Sequence, residues 1–200
     1  LIVVDVQYDF IDGSLAVPAG NEIVQKINDI RESGNFDVVV FTKDWHPPDH
    51  CSFAVNHKKE PFSKIMVGDM EQVLWPVHCV QGTKGAKLHE DLSVKDKDII
   101  FLKGENKEAE CYSAFADVFG NKTGFVEKLR DAGVSELYVC GLALDYCVLQ
   151  TCLDARKESF QTYCLFDLTK GVSPASSFTA ISEMLQAGVR VIVSSDISKQ

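Results

Sequence analysis

One cysteine of this 200-residue sequence stands where a nucleophile is expected. Cys147 follows the apolar run Leu137 to Cys140 and a short turn, and it opens the next helical stretch. Unpaired backbone N–H groups and the macrodipole at a helix N-terminus stabilise a thiolate. The same amides can hold the oxyanion that forms when a thiolate attacks a carbonyl carbon. The position therefore predicts nucleophilic catalysis, although a small buried hydrophobe is the other interpretation of any single cysteine.

A thiol nucleophile needs a proton acceptor, and the carboxylate that the sequence offers is Asp5. Asp5 ends the apolar run Leu1 to Val4, and Lys103 ends the run Ile99 to Leu102. In an open parallel sheet, ligands bind beyond the carboxyl ends of the strands, and the first and fourth strands usually flank the point where the strand order reverses. Asp5 would then lie beside Cys147. Lys103 would be a partly desolvated ammonium that orients the carboxylate and supports a thiolate.

A second group of residues has the composition of a metal site. Asp44 closes a strand and His46 follows two residues later, so in extended backbone both side chains project to the same side. His78, His50 or both could complete a site of carboxylate and imidazole ligands. Zn, Fe and Mn all suit such ligands, so the sequence predicts a divalent metal without choosing among them. The alternative is that these are ordinary solvated histidines.

The elements that would position these residues follow an alternating pattern. Short β-branched runs, typical of strands buried on both faces, are separated by stretches with helical spacing. The predicted strands are Leu1 to Val4, Val38 to Phe41, Ile99 to Leu102, Leu137 to Cys140, Thr162 to Phe166 and Val189 to Val193. The predicted helices are Glu22 to Glu32, Phe125 to Ala132, residues 146 to 158 and Pro174 to Gln186. Right-handed crossovers then give an α/β fold with a doubly wound, Rossmann-like open sheet of about six parallel strands and helices on both faces. Asp167, which closes the fifth run, is placed at the same edge by the same argument.

Length and composition indicate one globular domain. With 46% hydrophobic and 24% charged residues, a chain of this size can bury a core without disulfides or a structural metal. We expect a single domain over residues 1–200, with an insertion of about 44–97 that is rich in Pro, His and Trp. A long loop region in a compact domain is more often functional than idle.

Charge and cysteine usage narrow the partners and the location. The net charge of -9 repels phosphate backbones and anionic lipids, so nucleic acid and membrane partners are not expected. No apolar run approaches the roughly 18 residues of a membrane span. The seven cysteines are odd in number and scattered, which indicates reduced thiols and a cytoplasmic location.

Several segments form a distinctive set when they are taken together. They include V-D-V-Q-Y-D-F from Val4, D-W-H-P-P-D-H from Asp44, W-P-V-H-C-V-Q-G-T from Trp75 and G-L-A-L-D-Y-C from Gly141. Over nearly its whole length, the sequence resembles the nicotinamidase/pyrazinamidase group of the isochorismatase-like cysteine hydrolases. The second and third segments mark that group, because relatives that hydrolyse isochorismate usually lack this metal loop.

The resemblance implies roles for particular residues. It implies a catalytic triad, which here is Asp5, Lys103 and Cys147. It implies metal ligands, which here are Asp44, His46 and His78, with His50 matching a ligand of only some members. It also implies a non-proline cis peptide between Leu142 and Ala143, which would set the N–H of Ala143 beside that of Cys147 in an oxyanion hole. The substrate ring would be held by aromatic side chains, namely Phe10, Trp75 and Tyr112, for which core packing is the alternative.

The activity that the resemblance implies is hydrolysis of nicotinamide to nicotinate and ammonia through a cysteine thioester, as a step of NAD salvage. A divalent metal, zinc before iron or manganese, would anchor the pyridine nitrogen, and pyrazinamide would also be a substrate. Nicotinamide is then the expected partner, with a homo-oligomer as a further possibility. Three alternatives stay open: a related cysteine hydrolase acting on another small amide, a hydrolase that uses metal-bound hydroxide, and a non-catalytic protein that binds nicotinamide or senses redox state.

Overall fold

The computed structural model describes residues 1–199, with side chains through residue 197. Its strands are β1 (Ile2–Val4), β2 (Val40–Asp44), β3 (Lys64–Val67), β4 (Met70–Val73), β5 (Ile99–Lys103), β6 (Glu136–Leu142), β7 (Gln161–Lys170) and β8 (Arg190–Ile192). Its α-helices are α1 (Tyr8–Ile11), α2 (Val24–Ser33), α3 (Phe125–Asp131), α4 (Leu149–Lys157) and α5 (Pro174–Gln186). All six predicted strands and all four predicted helical stretches are present, with ends shifted by a few residues.

The main sheet has six strands in the order β5-β2-β1-β6-β7-β8, and every neighbouring pair is parallel. From β1 the chain builds outward through β2 and β5 in one direction, and then through β6, β7 and β8 in the other. The strand order therefore reverses between β1 and β6, where a doubly wound sheet opens a crevice for a ligand. Asp5 follows β1 and Cys147 follows β6, as the predicted topology requires.

The sheet is buried on both faces, because alternate residues of each central strand enter different apolar clusters. In β1, Ile2 and Val4 pack on one side and Val3 on the other. The first side is covered by α3, α4 and α5, and the second by α1 and α2. This double burial explains why the strand sequences are continuous apolar runs rather than alternating ones. The predicted doubly wound α/β fold is confirmed.

Two features of the fold differ from the sequence prediction. The antiparallel hairpin of β3 and β4, which follows β2 and precedes β5 along the chain, was not predicted. Its short strands are only partly buried and carry no strong period-2 pattern. The strand-end placement of Asp167 was wrong. β7 continues to Lys170 past an irregular register with β6, so Asp167 lies inside the strand. Its carboxylate accepts the backbone N–H and the hydroxyl of Ser194, at 2.8 and 2.6 Å.

The α-helices are short. Among residues 1–199, none combines the length and the apolar character that crossing a bilayer would demand.

Candidate active site

The three residues predicted to form a triad meet at the point where the strand order reverses. The ammonium nitrogen of Lys103 lies 2.9 Å from Oδ2 of Asp5 and 3.5 Å from Sγ of Cys147. Oxygen and sulfur atoms of Asp5 and Cys147 lie within 4.8 Å of each other. All three side chains are buried, so their electrostatic interactions are weakly screened by solvent.

Asp5 is held by its backbone and by Thr42 on the neighbouring strand. Its φ of 48° lies in the left-handed region, an uncommon conformation for a residue other than glycine that is found at functional sites. The hydroxyl of Thr42 donates to Oδ1 of Asp5 at 2.7 Å. Burial raises the pKa of Asp5 to about 6, while the ammonium of Lys103 acts in the opposite direction. A carboxylate with such a pKa is suited to accept a proton near neutral pH.

Cys147 lies in a π-helical turn, Leu144–Val148, that leads directly into α4. The N–H groups of Tyr146 and Val148 both donate to the carbonyl of Ala143, each at 3.1 Å, so Cys147 stands in the first turn of the helical segment. Burial raises the pKa of the Cys147 thiol well above its usual value, and Lys103 offsets part of this effect. The resting group is therefore a thiol, and it needs a base.

A glycine allows the two central strands to bring their ends together. Gly141 has a φ of 111°, and a Cβ at this position would lie 2.1 Å from the carbonyl oxygen of Val4. Only a residue without a side chain fits this approach of β6 to β1. The peptide bond between Leu142 and Ala143 is cis, as the resemblance implied. Ala143 and Cys147 then line the same cavity.

The metal-ligand candidates form a second cluster beside the triad. Ligand atoms of Asp44, His46 and His78 all lie within 4.8 Å of one another. Nε2 of His46 is 3.5 Å and Nε2 of His78 is 4.0 Å from Oδ2 of Asp44. Although burial disfavours the charged form, the ammonium of Lys103 holds the pKa of Asp44 well below its usual range. Asp44 thus offers a carboxylate.

The two imidazoles present lone pairs toward Asp44. Nδ1 of His46 lies 2.8 Å from the carbonyl oxygen of Gly104, and Nδ1 of His78 lies 2.8 Å from that of Pro76. A carbonyl only accepts, so each Nδ1 carries the proton and each Nε2 keeps its lone pair. Nε2 of His46 is buried without a hydrogen-bond partner. A bound cation satisfies such an atom, so this cluster fits a divalent metal.

His50 is placed differently from the other metal-ligand candidates. Its Nε2–H donates to the carbonyl of Ala109 at 3.2 Å, and its Nδ1 lies 2.8 Å from the hydroxyl of Ser52. Its ring stacks on that of His46 with centroids 4.1 Å apart. Both of its nitrogens are therefore used by protein groups, and the structure does not bring His50 into the cluster of Asp44, His46 and His78.

An aromatic wall closes the cavity between the two clusters. The indole N–H of Trp75 donates to the hydroxyl of Tyr112 at 3.0 Å, and Tyr146 packs edge-on against Trp75 at 4.9 Å. Phe10 lies beside His78, with ring centroids 5.5 Å apart. The cavity is lined by Phe10, Leu15, Val17, Asp44, Trp75, His78, Glu110, Tyr112, Ala143, Tyr146, Cys147 and Val172. The three predicted aromatic residues therefore meet around one space.

Several residues of this site were not predicted from the sequence. Gln7 uses its side-chain amide as a clamp: Oε1 accepts the N–H of Asp44 and Nε2 donates to its carbonyl, each at 2.8 Å. A polar residue two positions after Asp5 in an otherwise apolar segment was an available signal. Thr42, Tyr146 and Glu110 gave no comparable local signal, because their contacts depend on distant parts of the chain.

Comparisons with known proteins identify the family and support the fold. The family model for the isochorismatase domain matches residues 1–196. The nicotinamidase of Acinetobacter baylyi is 41% identical over 201 residues, which cover 98% of this chain and 93% of that protein. A yeast nicotinamidase bound to the inhibitor nicotinaldehyde has a TM-score of 0.91 and 35% identity over 96% of this chain and 98% of its own. The pyrazinamidase of Pyrococcus horikoshii in complex with zinc has a TM-score of 0.79 and 34% identity over 96% of this chain and 97% of its own. This chain belongs to the isochorismatase domain family.

Proposed function

We propose that this protein hydrolyses nicotinamide to nicotinate and ammonia through a thioester on Cys147, and that it serves NAD salvage. The observation that carries the proposal is one cavity lined both by Cys147 and by the metal-ligand candidates Asp44 and His78. A flat pyridine carboxamide has its ring nitrogen and its amide on different sides of the ring, so such a cavity can hold both at once. The similarity to nicotinamidases over nearly the full chain supports this substrate.

In the first half of the reaction, Asp5 accepts the proton of the Cys147 thiol. Lys103, 3.5 Å from the sulfur, stabilises the thiolate as it forms. The sulfur attacks the amide carbon, and the backbone N–H groups of Ala143 and Cys147 hold the oxyanion. Asp5 returns the proton to the departing nitrogen, the C–N bond breaks, and ammonia leaves an acyl group joined to sulfur.

In the second half, water cleaves the thioester. Asp5 accepts a proton from the attacking water, the new C–O bond forms, and the C–S bond breaks. Nicotinate is released and the thiol of Cys147 recovers its proton from Asp5. The same carboxylate thus serves as base and acid in each half, which its raised pKa of about 6 favours.

Asp44, His46 and His78 would hold a divalent cation, and we propose zinc. When bound, the cation supplies a Lewis acid for the ring nitrogen and so fixes one end of the substrate. Trp75 and Phe10 would flank the ring, and Tyr112 would hold Trp75 in place through its hydroxyl. Holding the ring at both ends orients the amide over the sulfur. This orientation can lower the activation free energy by several kcal/mol.

Ammonia release from three amides tests the proposal. Nicotinamide and pyrazinamide keep a ring nitrogen, whereas benzamide has none, so we expect turnover of the first two and a rate at least about 100-fold lower for benzamide. A chelator should abolish turnover and added zinc should restore it. Equal rates for benzamide would indicate a cysteine hydrolase of another amide. Binding of nicotinamide without ammonia release would indicate a non-catalytic binding protein.

A further inference from the structure

Glu110 is a buried carboxylate to which the reaction above gives no role. Its side chain is 3% exposed, and it lines the substrate cavity together with Asp44, His78 and Cys147. One oxygen, Oε1, accepts the backbone N–H of Cys111 at 2.8 Å. This bond orients the carboxylate but does not neutralise it.

Glu110 lies next to the metal-ligand candidates. Ligand atoms of Glu110, His46 and His50 lie within 4.8 Å of one another. His46 is also a member of the cluster with Asp44 and His78. The two groups are therefore adjacent. A cation near Nε2 of His46 would lie within the electrostatic reach of Glu110.

The balance of buried charge supports a role for Glu110 in cation binding. Within the part of the chain that the structure describes, no ion pair within 4.0 Å involves Glu110, whereas Asp5 and Asp44 both contact Lys103. In and beside the cavity, the three buried carboxylates of Asp5, Asp44 and Glu110 thus stand against the ammonium of Lys103. A buried charge without a partner of opposite sign destabilises the folded state. A divalent cation would offset the excess of negative charge.

The backbone on both sides of Glu110 is fixed by residues of the site. The Nε2–H of His50 donates to the carbonyl of Ala109, the residue before Glu110. The ammonium of Lys103 donates to the carbonyl of Cys111, the residue after it, at 3.0 Å. These bonds explain why His50 is buried beside the metal-ligand cluster although both of its nitrogens contact protein groups.

We propose that Glu110 is a further acidic partner of the divalent cation, and that His50 is a positioning residue that acts through Glu110. This inference rests on the proposed metal site of Asp44, His46 and His78. The carboxylate adds negative charge beside His46. Outer partners of this kind typically contribute 10- to 100-fold to metal affinity.

The test is the dissociation constant for zinc, measured on chelator-stripped protein by competition with a chromophoric chelator. We expect Glu110→Gln to weaken zinc binding by about 10- to 100-fold. Glu108→Gln is the matched control, because it removes the same charge from an exposed position of the same loop and should change the constant by less than about twofold. An unchanged constant for Glu110→Gln would overturn the proposal.

Asp44→Asn separates this inference from the metal site on which it rests. If Asp44→Asn loses zinc and Glu110→Gln does not, the role of Glu110 fails and the proposed metal site stands. If wild-type protein binds no zinc, both fail. Glu110→Asp keeps the charge and guards against a folding defect of the glutamine variant. It should bind zinc with a dissociation constant within about fivefold of the wild-type value. Zinc binding as weak as that of Glu110→Gln would show that the shape of the side chain matters rather than its charge, and would overturn the proposal.

A double-mutant cycle tests the role of His50. His50→Ala should weaken zinc binding in the wild-type background, because Ala109 and Glu110 lose their support. In the Glu110→Gln background, the same substitution should cause no further loss, because its effect passes through the missing carboxylate. Losses that multiply in the double variant would make His50 an independent ligand and overturn this part of the proposal.

Discussion

Gly104 has no side chain at the point where the imidazole of His46 packs against the backbone. A Cβ on Gly104 would lie 2.4 Å from Cε1 and 2.7 Å from Nδ1 of His46. The Gly104 carbonyl accepts the Nδ1–H of the same ring at 2.8 Å. Gly104, the residue after Lys103, thus sets both the position and the tautomer of a metal-ligand candidate.

Gly104→Ala should therefore lower zinc affinity by at least about tenfold, because the ring must move to admit the methyl group. Gly120→Ala is the matched control: its φ of 85° is similar to the 69° of Gly104, but no heavy atom lies within 4 Å of the added Cβ. Both variants carry a backbone penalty of about 1–2 kcal/mol, and only the first should change the zinc dissociation constant. Equal zinc affinity in both variants would contradict this account of His46.

Lys103 stabilises the fold as well as the thiolate. It is 2% exposed and contacts both Asp5 and Asp44, so Lys103→Met leaves two buried carboxylates without a cation. We expect a loss of about 3–5 kcal/mol in the free energy of unfolding at neutral pH, measured by urea denaturation of chelator-treated protein. Lys107→Met, which removes an exposed ion pair with Asp49, should leave the free energy of unfolding nearly unchanged.

The pH dependence of the Lys103→Met variant has a definite sign. Without the ammonium, the carboxyls of Asp5 and Asp44 are desolvated, which raises their pKa in the folded state above the unfolded value. The folded variant then binds protons more tightly than the unfolded chain, so its stability falls as pH rises and recovers as pH falls toward about 4. A destabilisation that does not change between pH 4 and 7 would show that lost packing, not charge, is the cause.

Turnover by the wild-type protein should depend on the ionisation of Asp5. Because protonated Asp5 cannot accept the thiol proton, kcat/KM should fall about tenfold per pH unit below about pH 6. Thr42→Val removes the hydrogen bond that lowers the pKa of Asp5, so it should move the midpoint to higher pH. Thr162→Val, a buried change on β7, should leave the midpoint in place. An identical midpoint in the Thr42 and Thr162 variants would exclude Asp5 as the titrating base.

Cys147→Ala separates nucleophilic catalysis from hydrolysis by metal-bound hydroxide. With no sulfur to acylate, turnover should fall by at least about 10⁴-fold, and rapid acid quenching should trap no thioester. Nicotinamide should still bind, because the aromatic wall and the metal-ligand cluster are unchanged. Cys152→Ala removes a buried core thiol on α4 and should keep its turnover. Appreciable turnover by Cys147→Ala would favour the metal-hydroxide mechanism.

Parts of this architecture follow from local sequence alone. Continuous β-branched runs report strands buried on both faces, and such runs alternating with helical stretches specify a doubly wound sheet. The rule that ligands bind at the carboxyl ends of parallel strands then places Asp5, Lys103 and Cys147 at one edge, although they lie far apart in the chain. The same rule placed Asp167 wrongly, because an apolar run does not show that a strand continues through an irregular register with its neighbour.

Other parts were decided only by the tertiary structure. Thr42 reaches Asp5 across 37 residues and His50 reaches Ala109 across 59, and no periodicity reports such pairs. Side chains in the long insertion between β2 and β5 take their orientation from hydrogen-bond partners and ring contacts that exist only after the chain has packed. The apolar runs and helical spacings of the sequence show where strands end and helices begin, so they identified the residues that could react. The direction of each lone pair and the balance of buried charge depend on contacts between distant segments, so only the folded chain determined that His50 faces Ala109 and that Glu110 enters the cavity.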